Sequence, residues 1–192
     1  MAIEYTAVQR EVIADSAEVQ ASTRRLRETV KLALARQRPK YVGTEASALL
    51  LPEDGTSASP TALIENGDLA PVDKVIWLVL MLRIVEENGL AALPTRKDLA
   101  RSANVGARDT VRNGLAMLRC KRWLSMCQTV WRSDDQQRGS AYALHTAPLP
   151  IADALYLDRN YPTFVMQLAR NRSARLRKAA QEALTELSAR SK

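Results

Sequence analysis

"LPTRKDLARSANVGARDTVRNGLAMLRCKRWL", Leu93 to Leu124, is the stretch on which the fold turns. It holds eight Lys or Arg residues, and between Pro94 and Arg122 only Asp98 and Asp109 are acids. Beneath that charge runs a helical rhythm, with Val111, Leu115 and Leu118 at i, i+4 and i+7. Pro94-Thr95 opens a short helix: Thr95 is a good cap, and Asp98 lies near the positive helix end. Leu99-Ala100 supplies its inner face, and Ala100 suits a close crossing with the next helix. Asn104-Val105-Gly106 breaks the chain, Asn104 tolerating the left-handed backbone of a tight turn and Val105 plugging the core beneath it. A further helix is expected over about Ala107 to Lys121. Two acids cannot neutralise eight cations within this helix pair. The charge is expected to face something negative.

Upstream, Asp73 to Glu87 is apolar nearly all round, which predicts a helix buried against several partners. Asn88-Gly89 gives it a left-handed stop. Downstream the period changes. "WLSMCQTVW" (Trp123 to Trp131) and "SAYALHT" (Ser140 to Thr146) are rich in β-branched and aromatic residues or alternate, and the polar "RSDDQQRG" joins them. These form a β-hairpin, with Trp123 and Trp131 packing it. Helix resumes over Ile151 to Asp158 and from Tyr161-Pro162 to about Ala189, interrupted at Asn171-Arg172-Ser173, with Ser173 as cap. Leu176, Ala180, Ala183, Leu184 and Leu187 make the last apolar stripe. Arg170, Arg172, Arg175, Arg177 and Lys178 form a second basic cluster, which either extends a phosphate footprint or solvates a helix.

At the other end, Ala17 to Gln37 reads as a helix carrying Val19, Leu26, Val30 and Leu34. Gly43 to Ala62 reads as a surface connection, docked through Leu49 to Leu51. The expected division is an amino-terminal helical arm (1–42), a linker (43–70), a central domain (71–147) and a carboxyl-terminal helical extension (148–192). The totals agree with a mainly α chain bearing a small β-hairpin (α+β): 192 residues, 46% hydrophobic, 5% aromatic, seven Gly and eight Pro. Net charge is +7, mostly an arginine excess, and the planar guanidinium fork suits phosphate and base edges.

Helix, short helix, tight turn, helix and hairpin is the order of a winged helix-turn-helix domain. "PTRKDLARSANVGARDTVRNGLAMLRCKRWL" resembles bacterial winged-helix DNA-binding domains in its Leu-Ala pair, its turn, its Arg-Thr-Val start and its Leu-rich helix end. With "RGSAYALHTAPLPIADALYLDRNY" and "RNRSARLRKAA" added, Pro71 to Leu187 is similar to replication-associated proteins of bacterial pathogenicity islands and integrative conjugative elements. One departure is a turn one residue longer, with Gly106 and Ala107 both ahead of Arg108. The resemblance implies a winged helix-turn-helix core with helical extensions at both ends. It also implies binding of double-stranded DNA in replication, maintenance or transcriptional control of a mobile genetic element.

With Val111, Leu115 and Leu118 inward, Arg108, Thr110, Arg112 and Asn113 lie on the outer and amino-terminal surface of the recognition helix. Arg108 or Arg112 suits guanine, Asn113 adenine, and Thr110 a phosphate or a thymine methyl. Asp109 is read as a cap or as the orienter of an Arg. Thr95, Arg96, Lys97 and Arg101 on the preceding helix are placed to meet backbone phosphates. In the wing, Arg132 and Arg138 bracket the tip, and Asp134-Asp135 argue against deep insertion. Lys121 or Arg122 is expected to offset the helix dipole. A homodimer would lengthen the site read, with the amino-terminal arm and the last helix as candidate contacts. The alternative is a winged-helix interaction module whose basic face takes an acidic protein.

Catalysis is not expected. The one histidine, His145, lacks neighbours at ligand spacing and is read as structural, so no metal site and no cofactor are expected. No GxxxxGK[ST] phosphate loop occurs. No small-molecule ligand is evident. The amino terminus lacks the pattern of a signal peptide, and the longest apolar run, Val75 to Leu82, is far short of the ~20 residues that cross a bilayer. Cys120 and Cys127 are expected to be buried free thiols. A cytoplasmic, nucleoid-associated protein is therefore expected.

Overall fold

The computed structural model describes residues 48–50, 61–87, 90–106, 108–131 and 138–189. The helix expected over Ala17 to Gln37 lies outside the described residues. In chain order the elements are β1 (Ala48–Leu50), α1 (Thr61–Glu65), α2 (Pro71–Glu86), β2 (Leu90–Ala92), α3 (Arg96–Ser102) and α4 (Arg108–Cys120). Then come β3 (Leu124–Trp131), β4 (Arg138–Leu144), α5 (Ile151–Leu157), α6 (Tyr161–Leu168) and α7 (Ala174–Ala189). The protein is mainly helical with one small, largely antiparallel sheet, an α+β arrangement.

The strand order is β2-β1-β4-β3. β3 and β4 form the expected antiparallel hairpin, pairing Leu124 with Leu144 and Trp131 with Arg138. Its register shifts between Met126 and Gln128, which leaves Cys127 as the extra residue of a bulge. β1 was expected to be part of a linker. It is instead an inner strand, antiparallel to β2 (Leu49 opposite Ala91) and parallel to β4 (Leu49 opposite Tyr142). Leu49 is fully buried, a term of about 1.5–3 kcal/mol that a surface connection would not supply.

One core unites the described residues. Leu49, Leu63, Ile76, Leu99, Leu118, Tyr161, Leu176 and Leu187 belong to a single cluster of buried side chains. The boundaries expected at 70/71 and 147/148 therefore do not separate cores. α1, within the expected linker, contributes Leu63, and the carboxyl-terminal helices close the back of the sheet and of α4. Trp123 meets Trp77 edge-on, with ring centroids 6.3 Å apart and planes at 85°. Trp77 Nε1 donates to the His145 carbonyl at 2.9 Å, which ties α2 to the end of β4. Cys120 is buried, as expected, but Cys127 at the bulge is only half-buried.

α2 departs from its expected surroundings. Ile76, Trp77, Leu80 and Ile84 are buried, whereas Val75, Leu82 and Val85 are exposed. The helix is apolar on both sides, and the described residues cover one of them.

Helices α3 and α4 end alike, each without glycine. At the end of α3, Val105 N donates to Ala100 O (2.9 Å) and Asn104 N to Arg101 O (3.2 Å), with Asn104 at φ 52°. At the end of α4, Trp123 N donates to Leu118 O (2.8 Å) and Arg122 N to Arg119 O (3.1 Å), with Arg122 at φ 64°. Both are Schellman closures, in which a left-handed residue satisfies the last carbonyls. Asn104 was legible as such. Arg122, an arginine where glycine is usual, was not.

Candidate nucleic-acid interface

α3 is set by its cap. Thr95 Oγ1 accepts from Asp98 N at 3.2 Å and donates to the Asp98 carboxylate at 2.6 Å. The hydroxyl proposed for phosphate contact is thus already engaged in capping. Arg96, Lys97 and Arg101 follow on the exposed side of α3. Arg101 reaches Asp98 at 3.3 Å, an exposed pair of the kind that contributes little. No ion pair among the described residues engages Arg96 or Lys97.

α4 buries Val111, Met117, Leu118 and Cys120, and Gly114 is on the same side. Leu115, expected in the inward stripe, is only half-buried, because the stripe is centred on Gly114 and Met117 instead. A Cβ on Gly114 would come within 2.3 Å of Ile76 Cδ1 and 3.3 Å of Asp73 Oδ1, so the missing side chain lets α4 approach α2. That contact fixes the rotation of α4. Arg112 is outward, 57% exposed, and paired at 3.3 Å with the still more exposed Asp109, as the orienting role for that acid anticipated. Thr110 and Asn113 are half-buried at the edges of the outward strip. Arg108 and Arg138 are placed by backbone alone, as the first residues of α4 and β4. Arg132 lies outside the described residues.

Arg96 and Arg112, from different helices, line one half-open cleft of about 270 Å³, together with Arg119, Leu115, Tyr142 and Phe164. Two open guanidiniums thus stand over an apolar floor where α3, α4 and the base of the hairpin meet. The floor was not foreseen. Phe164 is the only phenylalanine in the chain. It lies 4.1 Å beneath the Arg119 guanidinium carbon.

The opposite end of α4 is different. Arg119 donates to both carboxylate oxygens of the buried Asp158, at 2.6 and 2.8 Å. Lys121 donates to Asp68 (2.9 Å) and Glu182 (2.8 Å). Burial works against the Lys121 charge, but these hydrogen bonds outweigh it and raise its pKa above the ordinary lysine range. Arg122 donates to Leu149 O at 2.7 Å and to Glu186 at 2.8 Å. Acids from elsewhere in the fold thus take up three of the eight cations in the quoted stretch, and offsetting the helix dipole is not their main task.

The second basic cluster is likewise divided. Arg175 forms a two-pronged pair with the fully buried Asp73, whose carboxylate also accepts Ala70 N at 2.9 Å at the start of α2. Arg177 donates to the carbonyls of Asn171 (2.9 Å) and Arg172 (2.8 Å), closing the turn before α7. In that turn Ser173 N donates to Asn171 Oδ1 at 2.9 Å. Arg170, Arg172 and Lys178 are exposed.

His145 Nε2 lies 2.9 Å from Ser125 Oγ, a base–hydroxyl spacing. Both residues are 2% exposed, so no substrate reaches them. Burial holds the imidazole neutral, its pKa lowered to about 3. Burial likewise raises the Cys120 thiol to about 11, which keeps it protonated and unreactive. Among the described residues, no group of three or more His, Cys, Asp or Glu could hold a metal ion, and no helix is long and apolar enough to cross a membrane. Comparison with protein-family models, curated proteins and solved structures gives no match.

Proposed function

We propose that this protein is a winged helix-turn-helix binder of double-stranded DNA, acting without catalysis and without a cofactor. The order α2, β2, α3, α4, β3, β4 is the order of that fold, with β1 added between β2 and the hairpin. In this reading α4 enters the major groove by its amino-terminal half, α3 braces it against the backbone, and the hairpin lies along the adjacent strand. The observation that carries the reading is the uncompensated charge at that end. Arg96, Lys97, Arg101 and Arg112 are exposed, and only the exposed Asp98 and Asp109 pair with any of them among the described residues. The resemblance of Pro71 to Leu187 to replication-associated proteins supports a role in replication, maintenance or transcriptional control of a mobile element. That role would place the protein in the cytoplasm at the nucleoid.

A mobility-shift assay across salt tests this. Affinity should fall log-linearly with salt while preference for one duplex, selected from a random pool, persists. Arg112→Ala should relax base preference at one position by ~1–3 kcal/mol, whereas Lys97→Ala should weaken all sequences alike and lower the salt slope by about one. Sequence-blind, equal losses from both would overturn the roles. Absence of any duplex binding, with retention of an acidic protein on the same face, would favour the interaction-module alternative.

A further inference from the structure

The open face of α2 is a built surface. Val75 (38% exposed), Leu82 (60%) and Val85 (57%), with the half-buried Leu78 between them, run along the side opposite the buried Ile76, Leu80 and Ile84. Their spacing is three, four, three, which is the a/d seam of two short heptads. Ile64 of α1, also exposed, adjoins the amino-terminal end of the stripe, since its carbonyl accepts Lys74 Nζ at 2.6 Å.

The order of residues specifies the occupant. Read in either direction the stripe is Val, Leu, Leu, Val, symmetric about position 80. We infer that this face pairs with the same face of a second copy, the two α2 helices running antiparallel about a two-fold axis at residue 80. Val75 then meets Val85 of the other copy and Leu78 meets Leu82, each contact made twice, as an isologous interface requires. Val79 and Met81, half-buried on the two flanks, close over the axis as apolar neighbours. Charge selects the direction. Antiparallel pairing brings Lys74 of one copy level with Glu86 and Glu87 of the other. Parallel pairing would set lysine beside lysine and glutamate beside glutamate, and would align the helix dipoles unfavourably.

A 16-residue helix is about 24 Å long and about 10 Å wide, so the strip offers a few hundred Å² per copy. That is below the ~800 Å² per partner of a standard interface, and the dimer is accordingly concentration-dependent. The surface differs from both contacts expected from sequence, the amino-terminal arm and the last helix. It does not depend on DNA binding.

The test uses the full chain. Sedimentation across a concentration series should show a monomer–dimer equilibrium, and Leu82→Glu should weaken it on the order of a hundredfold. The melting temperature of the monomer should be unmoved, because Leu82 projects from the body. In oxidative cross-linking, a mixture of Leu78→Cys and Leu82→Cys chains should link faster than either variant alone. Preferential linking of Leu82→Cys to itself would mean parallel pairing and overturn the arrangement. A full chain that stays monomeric at every concentration would overturn the proposal. In that event, a fall in melting temperature on Leu82→Glu would show that a segment of the same chain covers the stripe, and no fall would leave the face to a different protein.

Discussion

The two ends of α4 carry the same kind of charge and put it to opposite uses. At the amino-terminal end, Arg112 points to solvent and, with Arg96 of α3, opens over an apolar cleft, its one acid an exposed neighbour in the same helix. At the carboxyl-terminal end, Arg119, Lys121 and Arg122 are drawn into the fold by acids 39, 53 and 64 residues away along the chain. The difference lies in what surrounds the arginine. A cation whose counter-charge comes from the end of α5, from α7 or from the α1–α2 turn is structural. One whose only counter-charge is local and exposed stays available to an external anion.

The largest expected effect comes from breaking the structural end. Arg119→Ala leaves Asp158, whose side chain is 1% exposed, as a buried carboxylate without its cation, and strips Phe164 of its stacked guanidinium. The expected cost is ~3–5 kcal/mol in urea unfolding. Arg112→Ala, at the open end, should cost no more than about 0.5 kcal/mol. Equal costs would abolish the distinction between the two ends.

Acid probes the same end from another side. His145 N donates to the Trp123 carbonyl, just beyond α4, and its ring is sealed against Ser125. A histidine whose folded pKa is lowered is protonated preferentially in the unfolded chain. Its contribution is therefore intact above the ordinary value of 6.5 and is lost progressively as pH falls toward about 3. At pH 5 the expected loss from this group is about 2 kcal/mol. Because the chain has one histidine, a single imidazole resonance reports it. Titration of that resonance near 6.5 in the folded protein would contradict the sealed environment.

These contrasts mark how much of the molecule was legible in advance. The helix pair, its capping Thr95, the left-handed Asn104, the hairpin and the helices after Ile151 all follow from local signals, and they sit where those signals placed them. The two three-residue strands do not follow. "ALL" at Ala48–Leu50 and "LAA" at Leu90–Ala92 have no alternation and no β-branched residue; β1 becomes a strand because the edge of β4 offers hydrogen bonds, and β2 because β1 then offers its own free edge. The open and claimed arginines were equally out of reach, since helical periodicity locates a charge on a surface but does not say which distant acid will meet it. The open face of α2 was hidden for a related reason. An all-round apolar helix was expected to be surrounded, and only the packing of the described residues shows which side they leave uncovered.

The smallest effect tests what sets the rotation of α4, and with it which arginines face outward. Gly114 occupies the middle of the helix, where glycine costs about 1 kcal/mol relative to alanine. Its compensation is the approach of α2, because an added Cβ would press on Ile76 Cδ1 and crowd the Asp73 carboxylate that Arg175 holds. Ile76 is fully buried, so its terminal methyl cannot swing away without disturbing the core around it. Gly114→Ala therefore combines a gain of ~1 kcal/mol in helix propensity with an overpacking loss of ~1–3 kcal/mol, for a net loss of about 1 kcal/mol. The two ends should respond unequally. A small rotation of α4 displaces Arg112 relative to Arg96 across the cleft, whereas Arg119 stays fixed by two hydrogen bonds to Asp158. Duplex affinity should thus fall by more than the stability loss alone explains. A stabilised variant with unchanged affinity would show that the α2–α4 contact does not govern the outward face.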